Sequence, residues 1–203
     1  MRITGIEIEK FSVPTKEPFR VAFGLITESD SWIVKVHTDE GITGIGSASP
    51  LGFVTGETID TCRIVMQLFA DAVIGADPTD IQGIHKIMDG IIYGNGSAKC
   101  AFDVACYDIL GKTKGLPVYK LLGGTDPVVH NDITIGIDEP VKMQAKADVY
   151  VHRKGFDILK VKTGISLEDD IDALTRSARQ QEIKYGSVST RIRGTMSRRR
   201  WKR

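Results

Sequence analysis

The chain has 203 residues, 41% of them hydrophobic and 26% charged, an ordinary composition for a soluble globular protein with one or two cored domains. No apolar run approaches a membrane span, and the N-terminus enters a strand-like alternation without a secretory signal, so neither a membrane nor a secreted role is expected. The net charge of +1 hides an asymmetry: residues 179–203 hold 9 of the 27 lysines and arginines with one acid, Glu182, which leaves a net of −7 on residues 1–178.

Antiparallel strands are expected first. "RITGIEIEKFSVP" (2–14) reads as one strand, and "SWIVKVHTDEGITGIGSASP" (31–50) as a hairpin turning at Asp39-Glu40-Gly41. Between them "TKEPFRVAFGLITES" (15–29) reads as a loop. Three helices follow. One is expected over 57–72, and one opens at Asp77-Pro78 with Asp77 as N-cap. The third starts near Ser97, with Ala101, Val104, Ala105 and Ile109 as an apolar stripe. Its many small residues predict close packing, and Gly115 followed by Pro117 ends it. Cys62, Cys100 and Cys106 all fall in these helices without metal-ligand spacing and read as buried thiols of a reducing cytoplasm.

Past Gly123-Gly124 the rhythm becomes strand (131–137), helix (139–154), strand (156–162) and helix (166–179), the last capped by Ser166 with Asp169 in the capping-box place. Such a repeat is the βα pattern of a parallel sheet or barrel, in which functional residues sit at the C-terminal ends of strands. The second strand carries Lys160 and Lys162. Side chains on a strand alternate, so both lysines share a face with Phe156 and Ile158, while Asp157, Leu159, Val161 and Thr163 take the other. A solvated strand end would explain two lysines, but their place at the end of a barrel-type strand favours function.

Four stretches in order carry a resemblance: "GIGSASP" (44–50), "SAKCAFDVACYD" (97–108), "GLPVYKLLGG" (115–124) and "LKVKTG" (159–164). Over roughly residues 1–178 the chain resembles the enolase superfamily, in its mandelate racemase/muconate lactonizing branch, and within that the dipeptide epimerases. The resemblance implies an α+β capping domain (antiparallel strands plus helices) at 1–125. The first two βα units of a TIM-like (β/α)7β barrel would follow at 126–179. It also implies a metal-dependent isomerase that removes a proton α to a carboxylate. Lys162 would be the base; Lys160 beside it favours the neutral amine a base requires and stabilises developing negative charge. Thr134, on the first barrel strand, matches a substrate-contacting position or is an ordinary strand threonine. Phe19, Phe23 and Phe53 would wall a substrate pocket or belong to the capping-domain core. Where epimerases of Ala-Glu dipeptides place an arginine, Gly24 stands here, and Arg20 is not an obvious replacement. A small carboxylate or dipeptide is the implied substrate, and a homo-oligomer is implied at full length. Muconate cycloisomerase and o-succinylbenzoate synthase share the Lys-x-Lys pattern; a non-catalytic binding module is the reading from another class.

The family holds Mg2+ with three carboxylates from later barrel strands, the first as Asp-x-Asn near position 190. The chain there reads "EIKYGSVSTRIRGTMSRRRWKR", with no carboxylate at that place, so metal ligands are expected to be missing. Codons for "SVSTRIRGTM" (187–196) can be chosen so that another frame spells RVDANQGYD, which contains Asp-Ala-Asn. The basic tail 180–203 therefore reads as out-of-frame translation beginning near Arg179–Gln181, rather than as a nucleic-acid arm. The resulting product is expected to be truncated and inactive, with open strand edges and an exposed apolar face.

Overall fold

The computed structural model describes residues 1–22 and 24–179. Phe23 and the basic tail 180–203 lie outside the described residues. The chain forms two compact units: Met1–Pro14 with Glu28–Pro127, and Thr15–Thr27 with the chain from Val128 onward. The segment 15–27 thus goes with the second unit, and the main division between the units falls at 127/128.

In the first unit strands are ordered β1 (Ile3–Val21), β2 (Gly24–Thr38) and β3 (Thr43–Ala48), of which residues up to 14 and from 28 belong here. β2 and β3 are antiparallel, Trp32 opposite Ala48 and His37 opposite Thr43. Their turn is closed by Thr38, whose backbone N–H donates to the Ile42 carbonyl at 3.2 Å, and Gly41 supplies the positive φ of 75°. Where a loop was expected over 15–29, residues 15–21 and 24–29 are instead strand, so β1 and β2 run on past the expected ends. The Thr15 hydroxyl bonds the Thr27 carbonyl at 3.0 Å across this arm. Backbone pairing requires no buried face, and this mostly exposed segment offered no apolar alternation to read.

The helices are α1 (Gly52–Thr55), α2 (Ile59–Val73), α3 (Ile81–Ile91), α4 (Gly96–Lys114) and α5 (Val118–Leu121). Thr58 caps α2 by accepting from Thr61 N–H. Asp77 does not cap α3: its carboxylate closes a turn on Thr79, and Asp80 caps three residues later by accepting from Gly83 N–H. On α4 the buried face is Ala98, Ala101, Phe102, Ala105, Cys106 and Ile109, whereas Val104 is 44% exposed, one position off that stripe. Close packing is confirmed where α4 meets β3: a Cβ added to Gly44 or Gly46 would overlap the Ala105 or Ala101 carbonyl. The core beneath includes Val34, Val36, Met66, Met88 and the edge-to-face pair Phe69–Phe102, with centroids 5.8 Å apart. Cys62 and Cys106 are buried here; Cys100, on the far side of α4, is exposed, contrary to expectation.

The second unit holds a two-stranded parallel sheet, β4 (Ile133–Ile135) and β5 (Leu159–Val161), with α6 (Pro140–Asp148), a π-helical turn (Val149–Arg153) and α7 (Leu167–Arg179). The strands are shorter than the 131–137 and 156–162 expected, and the helix expected over 139–154 changes to π pitch at Val149. Ile135, Leu159 and Val161 are buried with Met143 and Ala147 of α6 and Ala173 of α7. Among the described residues no helix is long and apolar enough to cross a membrane.

Candidate active site

The buried alternation of β5 decides where its lysines point. Leu159, Val161 and Thr163 are 2%, 1% and 4% exposed and fill the helix-covered side, so Lys160 and Lys162, both half-buried, project from the opposite face. The parallel register sets Thr134 beside Lys160, on that same face. Lys162 follows the last residue of β5, and its N–H donates to the Ile135 carbonyl at 2.9 Å. The next amide, beyond buried Thr163, is Gly164 N–H; it donates to both carboxylate oxygens of Asp170, at 3.1 and 2.9 Å.

The arm 15–22 packs against the end of β4. Ile137 N–H donates to the Arg20 carbonyl at 2.9 Å, and a Cβ on Gly136 would lie 3.1 Å from the Phe19 ring. Glu17 pairs with Lys146 of α6 at 3.0 Å, and that hydrogen bond raises the Lys146 pKa above its ordinary value against the opposing effect of burial. Phe19 and Thr134 together line a cleft of about 100 Å³ with Glu17, Arg20, Lys146 and Tyr150. A larger cleft of about 410 Å³ lies among the loops that follow the two strands, lined by Arg20, Asp138, Ile165, Asp169 and Asp170.

The structure puts Thr134, Lys160 and Lys162 on one sheet face, and Phe19 in the cleft that Thr134 lines. Phe53 is different. It sits on α1 of the first unit and is 46% exposed, which removes it from the capping-domain core. The Glu17–Lys146 pair and the Asp170–Gly164 bond were missed, because partners 129 and 6 positions apart leave no periodic trace.

A family model described as mandelate racemase / muconate lactonizing enzyme, N-terminal domain, matches residues 5–123. The chain belongs to the mandelate racemase/muconate lactonizing enzyme family. It is 44% identical over 171 residues to the hydrophobic dipeptide epimerase of Enterococcus faecalis, a match covering 84% of this chain and 48% of that protein. It is 43% identical over 193 residues to the D-Ala-D/L-Ala epimerase of Cytophaga hutchinsonii, covering 95% and 51%. The crystal structure of the E. faecalis epimerase complexed with Mg and the dipeptide L-Leu-L-Tyr superposes with a TM-score of 0.88 at 40% identity, over 95% of this chain and 53% of that one. The chain therefore spans about half the length of the relatives it matches. These are dipeptide epimerases of the enolase superfamily, and the α+β capping architecture followed by parallel βα units is theirs.

Mg is present in two such relatives. Among the described residues of this chain no group of three or more His, Cys, Asp or Glu side chains could hold a metal ion. The described residues do not fit that metal.

Proposed function

We propose that this chain carries the base-bearing part of a racemase/epimerase-type isomerase that abstracts a proton α to a carboxylate, with a dipeptide as substrate. The observation that supports it is the placement of Lys162 just past the C-terminal end of a parallel strand, with Lys160 on the same face, in a chain 44% identical to a dipeptide epimerase. A neutral Lys162 amine takes the α-proton and becomes an ammonium, and carbon acquires the bonding pair as the carboxylate develops enediolate character. Lys160, one pleat back, is a fixed cation beside that developing charge. Thr134, its register partner, offers a hydroxyl to bound substrate, and Phe19 with the arm closes the adjoining cleft.

A hydrophobic dipeptide is favoured over an acidic one. Gly24 leaves no cation at the position where acidic-dipeptide epimerases use an arginine, and the E. faecalis relative is a hydrophobic dipeptide epimerase. The carboxylates that would hold Mg2+ for this reaction are not assembled by the described residues, so the assay supplies them from a relative.

Fusing residues 1–178 to the half of the E. faecalis epimerase that they do not match tests this. With Mg2+ and L-Leu-L-Tyr in D2O, the fusion should incorporate α-deuterium, and Lys162→Ala should slow incorporation by about 10²–10⁴-fold. Undiminished incorporation in Lys162→Ala would remove Lys162 from the chemistry.

A further inference from the structure

The turn after β5 is held at both ends. Lys162 N–H is bound by the Ile135 carbonyl of the neighbouring strand at 2.9 Å, and Gly164 N–H by the Asp170 carboxylate at 2.9 and 3.1 Å. Thr163 between them is buried. Gly164 has φ 122°, a conformation that L side chains rarely adopt, and a Cβ there would meet the Ala22 methyl of the arm at 3.1 Å. Asp170 is itself fixed in the first turn of α7, its N–H donating to the Ser166 carbonyl at 2.9 Å. The backbone carrying Lys162 is thus clamped between two amides, one fixed by the sheet and the other by a carboxylate.

We propose that Asp170 is a positioning residue for Lys162: by accepting the Gly164 N–H it fixes the turn that sets where the Lys162 amine stands relative to Lys160. This rests on Lys162 being the base. A charged acceptor shared by two oxygens makes a stronger bond to an amide than a neutral one. Losing it frees one end of the Lys162–Gly164 turn while leaving β5 paired and Lys160 in register. Helix capping alone would not do this, since Ser166 already serves the start of α7 through its hydroxyl, 3.4 Å from Asp169 N.

The test uses the whole 203-residue chain and needs no turnover, so its failure is separable from failure of the assigned reaction. Lys160 and Lys162 are acetylated in competition, and the ratio of their rates is read by peptide mass spectrometry for the wild type, Asp170→Ala, Asp170→Asn and Ser166→Ala. Amide exchange at Gly164 is followed alongside. Asp170→Ala should speed Gly164 exchange by about tenfold or more, the factor implied by one lost hydrogen bond to a charged group, and should shift the Lys162:Lys160 ratio away from its wild-type value. Asp170→Asn, which keeps one acceptor oxygen, should change both less, in the same direction. Ser166→Ala, which weakens the same helix end, should leave the ratio unchanged. If Asp170→Ala does not fold, Asp170→Asn decides alone. An unmoved ratio in the folded Asp170 variants, or an equal change in Ser166→Ala, overturns the proposal.

Discussion

Thr134 and Lys160 stand opposite each other in the parallel register of β4 and β5, so a hydroxyl and an ammonium from strands a full βα unit apart share one sheet face. Thr134→Val tests what that neighbour does. Valine keeps the β-branched shape that suits a strand, so the fold should hold. In the fusion of residues 1–178 with the E. faecalis half, the loss of one hydroxyl contact should raise KM about fivefold with kcat nearly unchanged. A drop in kcat at constant KM would make Thr134 part of the chemical step instead.

Gly46 tests the packing that supports the first unit. Its Cα lies against the Ala101 backbone of α4, where a methyl group would overlap the carbonyl, and the obstruction is backbone rather than a side chain that can turn away. Gly46→Ala should cost about 3 kcal/mol or more, the upper end of overpacking penalties. Urea unfolding of the variant measures this. Gly24→Ala, with nothing within 4 Å of the added methyl, is the control and should stay near wild-type stability.

The small residues of α4 foretold that contact, because only small side chains let a helix and a strand approach so closely. The lysine face was legible for a similar local reason. Leu159 and Val161 must be buried, and strand geometry then sends Lys160 and Lys162 the other way. The arm 15–22 was not legible. Its strand character comes from backbone pairing, and its place beside β4 from the Glu17–Lys146 and Arg20–Ile137 contacts, neither of which has a sequence period. The misplaced start of α3 shows the limit of capping rules: Asp77-Pro78 and Asp80 both look like helix starts, and the turn on Thr79 decides between them.

Glu57 was expected in a helix and is instead a buried anchor. At 5% exposed, its carboxylate accepts from the Ser97 N–H with both oxygens and from the Ser97 hydroxyl, so it joins the start of α2 to the start of α4. A negative charge at a helix N-terminus is favourable, and bonds to charged groups are the stronger kind. Glu57→Ala should destabilise the chain by about 2–3 kcal/mol, chiefly by leaving the Ser97 donors unpaired. Glu57→Gln, which keeps an acceptor but loses the charge, should cost less. Equal urea midpoints for wild type and Glu57→Ala would show the contact to be energetically idle.

The cysteines separate by burial, and that separation has a pH signature. Burial pushes the Cys62 thiol up to about 11, with the nearby Glu57 charge adding to it, and the Cys106 thiol up to about 12, with Asp103 adding to it. A thiolate is the reactive form, so at pH 8 a disulfide reagent should label Cys100 alone in the folded chain, and all three after denaturation. The sign of the linkage follows. Below the unfolded-state value of 9.0 the thiols are protonated in both states and their full contribution to stability is present. As pH rises past 9.0 the unfolded chain releases protons that the folded core retains, so stability falls until the folded-state values near 11 and 12 are passed. Cys62→Ala/Cys106→Ala should be less stable than wild type at pH 7 because it loses core volume, yet should lose less further stability between pH 9 and 11. A parallel decline of both proteins across that window would assign the alkaline loss to other groups.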